Sequence, residues 1–273
     1  MSHDVDHLTA WEHRGDLQLP KQLIRDSIEL GLRYISHEEF VMRLRDAVMN
    51  KWNYLESLME FDRECGVPAT FFFGVENGLG LAYSLKAAAF WVQRAMEKGF
   101  STGVHGIAFE QLSSIRREYE RFAQITKMEQ FGIRMHYLRT GNETLKHLAA
   151  TGYQFDSSLS EMTSPYKVGA FWEFPVHIMD ANIMRKDKRW QNQTLAQVKD
   201  TTKVITGRAA ESGIKYLTII FHDRYFSDCF RTWKDWYIWL IGFLQDNGIK
   251  FISYSDAIKE LEKESRVIPG AAV

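Results

Sequence analysis

Apolar positions recur at helical spacing over Leu23–Leu32, Glu38–Met49 and Tyr54–Glu64, and the last run stops at Gly66-Val67-Pro68, a combination that ends helices. The period then changes. Ala69–Val75 carries β-branched and aromatic residues with no polar alternation, which predicts a strand covered on both faces. Helices are predicted over Ala82–Lys98, Phe109–Lys127, Thr144–Thr151, Leu195–Glu211, Trp233–Asp246 and Asp256–Lys263. Strands are predicted over Ser101–His105, Ile133–Leu138, Gln154–Ser157, Tyr216–Phe221 and Lys250–Ser253. An irregular Ser160–Ala170, an extended Phe171–Ile178 and a basic loop at Arg185–Arg189 interrupt the rhythm. Strand followed by helix, with glycine at helix ends, predicts a parallel α/β sheet, closed or open. No linker divides residues 1–273, so one domain is expected.

Composition narrows the function classes. A formal net charge of −1 argues against a general electrostatic grip on nucleic acid or anionic membrane. Cys65 and Cys229 stand far apart in no metal-binding spacing, so a disulfide scaffold is not expected. The polar start and the lack of an 18-residue apolar run predict neither a secretory signal nor a membrane span, and hence a cytoplasmic protein. Aromatics make up 14% of the chain; most should be core, and a minority could line a sugar-binding groove.

In parallel α/β folds reactive side chains gather where strands end, because the sheet interior is packed. The predicted strand ends offer Asp4 and Asp6, His105, Arg134 and His136, Asp156, Glu173, and His222-Asp223. Asp4 and Asp6 share one side of an extended chain, as a metal ligand and a general base would, or as a solvated turn would. His105 lies between Gly103 and Gly106, as either a ligand or a structural histidine. His222 ends an apolar strand and is placed as a general acid, or as a histidine satisfied at a loop mouth.

Five ordered segments resemble the polysaccharide deacetylases, the NodB-homology group or carbohydrate esterase family four. They are Ser2-His3-Asp4-Val5-Asp6, Gly66–Phe73 with its Pro-Ala-Thr-Phe-Phe wording, Gly99–Gly106, Gly152–Ser158 together with Phe171–Val176, and Ile219-Ile220-Phe221-His222-Asp223. The resemblance covers nearly the whole chain and implies a distorted (β/α)7-type barrel of parallel strands, with a helical insertion after the first strand. It further implies Asp4 as base, Asp6 and His105 as metal ligands, His222 as the acid that protonates the departing amine, and Arg134 holding the base carboxylate.

The chain departs from the family at one place. The family's second metal histidine, four residues after the first, is here Phe109. Catalytic zinc usually has three protein ligands, so another residue is required. His136, two residues beyond Arg134 where the family shows proline, is the candidate, with His7 and His3 as alternatives and a two-ligand site as another. The implied cofactor is one divalent ion, zinc first, with nickel, cobalt or iron compatible with an O/N donor set. The implied substrate is an N-acylated, most simply N-acetylated, amino sugar of a small molecule or oligosaccharide, such as a surface-polysaccharide or O-antigen precursor. A non-catalytic carbohydrate- or protein-binding descendant of the barrel is the rival, and a deformylase or other amidohydrolase is a third possibility.

Overall fold

The computed structural model describes residues 1–186 and 188–267. Strands β1 (Ser2–Val5), β2 (Thr70–Phe73), β3 (Ser101–Gly106), β4 (Gly132–Met135) and β5 (Phe155–Asp156) lie side by side and parallel. Beyond β5 comes a hairpin, β6 (Tyr166–Val168) and β7 (Phe171–Glu173), in which β7 runs parallel to β5. On the other side of β1 stand β9 (Thr218–Ile220) and β8 (Val176–Met179), giving the order β6-β7-β5-β4-β3-β2-β1-β9-β8.

This order forces the sheet to curl. β7 and β8 lie towards opposite ends of the sheet, yet only Phe174 and Pro175 separate them. Three residue steps span at most about 11 Å, so the two sheet ends must meet, and the sheet rolls into an open, distorted barrel. The run Phe171–Ile178 is thus two strands. Pro175, without an N–H, sits at the break.

Strand parity separates the two faces. Phe71 and Phe73 join the outer core, to which α4 (Leu85–Glu97) and α5 (Leu112–Thr126) contribute Ala88, Val92, Ile115 and Phe122. Phe72 points the opposite way, into an inner cluster with Phe155, Trp172, Phe174, Tyr216 and Tyr254. A Cβ on Gly132 would lie 2.1 Å from the Phe155 ring, and one on Gly103 would lie 2.7 Å from Phe72 and 2.8 Å from the Gly132 carbonyl. Only glycine leaves room for the aromatic filling there.

The final helix, α10 (Tyr254–Val267), supplies Tyr254, Ala257 and Ile258 to that inner cluster. The expected strand Lys250–Ser253 does not form among the described residues; the chain enters α10 directly, with Tyr254 stacked on Phe155 at 4.3 Å and bonded to Arg134 at 2.9 Å. The other expected helices are present: α6 (Thr144–Thr151), α8 (Leu195–Glu211) and α9 (Arg231–Asp246). The short elements that were not expected include β6, within the irregular stretch, and α7 (Asp180–Arg185), which leads into the basic loop whose Asp187 lies outside the described residues.

Between β1 and β2 stands the helical insertion: α1 (Gln18–Gly31), α2 (His37–Val48) and α3 (Leu55–Glu64). A capping box, Ser36 with Glu39, sets the start of α2. No helix among the described residues is long and apolar enough to cross a membrane.

Candidate active site

Register places the chemistry. In a parallel sheet, paired residues project to the same face, and Asp4 pairs with Phe72, Phe72 with Gly103, and His105 with Arg134. Asp4, His105 and Arg134 therefore all face the barrel interior, and the alternation carries Asp6 to the same side at the mouth. His3 has the opposite parity. Its ring bonds the Phe221 carbonyl and the Asp62 carboxylate, each at 2.8 Å, and packs on Phe71, which removes it from the site.

Arg134 is fully buried and uses its whole fork. It donates to the Asp4 carboxylate at 3.0 Å, to Ser2 Oγ and Ser157 Oγ at 2.7 Å, to the Ser157 carbonyl at 2.8 Å and to Tyr254 Oη at 2.9 Å. Burial raises the pKa of Asp4, but Arg134, followed by His105 and His222, outweighs it and leaves the carboxyl below its ordinary value.

Three donor atoms converge at the mouth. Asp6 Oδ1 lies 3.1 Å from His105 Nε2 and 3.3 Å from His136 Nδ1, and the two imidazole nitrogens are 3.0 Å apart. Each ring's other nitrogen faces a backbone carbonyl, Arg134 for His105 and Leu79 for His136, both at 3.1 Å. A carbonyl only accepts, so in neutral rings those nitrogens carry the protons and the two that face each other are free to ligate beside a carboxylate. Three electron-rich atoms at such spacing repel unless a cation sits among them. An ion about 2.0–2.1 Å from each donor would space them by about 3.3 Å in a tetrahedron, which the observed triangle fits.

Phe109 lies outside the triangle. The expected helix Phe109–Lys127 begins only at Leu112, so position 109 lies in a loop, its ring under Arg139 at 4.3 Å. His136 follows the last residue of β4 and opens a short 3-10 turn in which Tyr137 and Leu138 take positive φ, 59° and 52°. His7 is turned away from the triangle. It bonds His13 Nε2 at 2.8 Å, and His13 in turn bonds Asp16 at 2.9 Å.

His222 reaches Asp6 Oδ2 at 3.8 Å from the far side. Asp180, the first residue of α7 and fully buried, accepts from the His222 backbone N–H and from ring Nδ1, each at 2.7 Å. Burial works against a charged His222, but Asp180 more than offsets it and holds the imidazolium well above its usual pKa. Burial likewise pushes Asp6 upward, yet His136 and His105 hold it well below the carboxylate range. The neighbouring Asp223 is different: burial drives it up to about 8, although the backbone N–H groups of Tyr54, at 3.4 Å, and Arg224 oppose the rise.

Asp180 is the site residue that strand-end reasoning did not name. Its one sequence signal is an acid directly after the extended run that ends at Ile178-Met179. Asp156 and Glu173, named among the strand-end acids, pair in register on β5 and β7, fully buried beneath the site. Burial raises both, and the shared charge raises Glu173 further.

The architecture is thus an α/β barrel whose mouth holds a carboxylate–imidazole triangle, flanked by an Arg-tethered aspartate and an Asp-oriented histidine. Solved structures with this fold include a Mycobacterium smegmatis protein assigned as a polysaccharide deacetylase, with TM-score 0.65 and 14% identity, covering 100% of this chain and 92% of that one. A Pseudomonas aeruginosa protein, likewise assigned, gives 0.56 and 16%, covering 79% of this chain and 75% of that one. Puue allantoinase gives 0.50 and 14%, covering 69% and 66%. The chain has the polysaccharide deacetylase barrel fold. No family model matches the sequence, and no curated protein matches it.

Proposed function

We propose that the protein hydrolyses an N-acyl group, most simply N-acetyl, from an amino sugar at a mononuclear divalent-metal site. The observation that carries this is the triangle of Asp6, His105 and His136, in which each ring turns one nitrogen to a backbone carbonyl and the other inward to the triangle. These three residues would hold the ion, zinc by donor set, with nickel, cobalt or iron compatible. Such an ion polarises a bound carbonyl and acidifies water.

The remaining steps belong to the chain. Asp4, kept ionised by Arg134, accepts the proton of the attacking water; His222, kept protonated by Asp180, delivers one to the departing nitrogen. Acid and base are thus charged appropriately before substrate arrives. Amide hydrolysis needs one proton removed and one supplied, and the two groups flank the triangle to do so.

A sugar substrate, and within that class a surface-polysaccharide precursor such as an O-antigen unit, comes from the motif resemblance and the shared fold. Phe109 favours a second possibility, a barrel that binds carbohydrate or a partner protein without catalysis, but His136 supplies the third donor whose loss would motivate it.

Purified protein should contain about one equivalent of divalent metal. That metal should be lost in Asp6→Ala, His105→Ala and His136→Ala, and the metal-loaded protein should release acetate from N-acetylglucosamine oligomers or UDP-N-acetylglucosamine. Metal-free protein that binds these sugars unchanged would establish the non-catalytic alternative; formate released from N-formyl sugars in place of acetate would establish a deformylase.

A further inference from the structure

The first two helices of the insertion are built inside out. α2 buries Glu39, Arg43 and Asp46, spaced i, i+4, i+7, and turns Val41, Leu44 and Val48, spaced i, i+3, i+7, to solvent. α1 repeats the inversion. Its Asp26 and Glu29 are buried, each paired with Arg43 at 2.7 Å, while Leu23 and Ile24 face outward. With Leu17, Leu32, Tyr34 and Met49 beside them, these outward side chains are 38–72% exposed. They form an apolar surface on the order of several hundred Å², a size that marks an interaction site.

Charge is sorted in the same sense. Of the seven acids between residues 11 and 51, Asp26, Glu29, Glu39 and Asp46 are buried; of the seven bases only Arg43 is. Six bases therefore remain at the surface against three acids. An apolar stripe on a segment whose surface charge is mainly lysine and arginine is the composition of helices that lie in a lipid interface.

Location adds a reason. Gln18, at the start of α1, packs against Gly80, beside the Leu79 carbonyl that bonds His136, so the insertion borders the barrel mouth. A second copy of the chain would also cover the apolar face, but a twofold contact sets the same net-basic segment against itself. An anionic bilayer satisfies both the apolar stripe and the bases.

We propose that the outer face of α1 and α2 docks on an anionic membrane surface. Binding is measured without turnover, so it stands or falls separately from the hydrolase proposal.

The test is flotation of the full chain with phosphatidylcholine vesicles, pure or containing about 30% phosphatidylglycerol. Binding is expected on the anionic vesicles and to be weak on the neutral ones. It should fall about tenfold or more in Val41→Ser/Leu44→Ser/Val48→Ser, and comparably in the independent pair Lys21→Glu/Arg33→Glu or on raising salt from about 0.05 to about 0.5 M. All of these positions are exposed, and thermal melts check that the variants fold. Absence of binding, equal binding to neutral vesicles, or indifference to both variants would overturn the proposal. So would a wild-type dimer in sedimentation that the triple-serine variant splits, since the face would then be a self-contact.

Discussion

Replacing Arg134 by methionine isolates one buried charge. The side chain is fully buried and its guanidinium makes five hydrogen bonds, one of them to Asp4, itself almost fully buried. Methionine keeps much of the packing and strands the carboxylate, and breaking a buried pair from one side costs about 3–5 kcal/mol. Asp4 has one escape, to bind a proton; from an unfolded pKa near 3.9 that costs about 4 kcal/mol at pH 7 and about 1.4 kcal/mol less for each unit of acidification. In the wild type Asp4 is depressed, so its stabilising contribution is present above the unfolded pKa and is lost as pH falls. In the variant it is raised, and stability improves as pH falls. The two effects converge. Urea unfolding at pH 7 and pH 5 should therefore show a deficit of about 4 kcal/mol shrinking by more than about 2 kcal/mol, and Asp4→Asn should recover part of it in Arg134→Met. A deficit equal at both pH values, with Asp4→Asn additive, would refute this account of the pair.

Two further outcomes follow from the same electrostatics. Burial raises Glu118 to about 7 although it accepts the Ile107 and Ala108 N–H groups behind His105; a raised acid lowers stability as pH rises from its unfolded value, by about 3 kcal/mol between pH 4.5 and 7. Glu118→Gln should flatten that slope in urea titrations, and an unchanged slope would contradict the assignment. Asp180→Asn removes the charged acceptor from His222, and a charge-assisted bond of about 1.5–3 kcal/mol corresponds to one to two pKa units. NMR titration of the His222 ring should register that fall, with the alkaline limb of any activity moving down alongside it; a ring that titrates as before would remove Asp180 from the account.

Elements with strong periodicity were legible in the sequence, because their pattern is local: α8, α9 and the Phe71–Phe73 strand lie where period and glycine place them. The six named site residues also meet at one end of the barrel, since strand parity is a local rule that parallel pairing extends across the sheet. What was not legible depends on distant partners. Lys250–Ser253 has the composition of a strand, but Tyr254 is drawn to Arg134 and Phe155. Asp180 acquires meaning only opposite His222, 42 positions on. The helices of the insertion were predicted, but their orientation was not, because periodicity identifies an apolar stripe without saying which way it faces.

Tyr254 gives the barrel's two ends a common member. It closes the floor as the first residue of α10 and bonds Arg134, the side chain that holds Asp4 towards the mouth. Shortening the protein before α10 would thus do more than fray a terminus: it would withdraw one of the Arg134 acceptors, open the aromatic filling to water, and loosen the proposed proton acceptor from a distance.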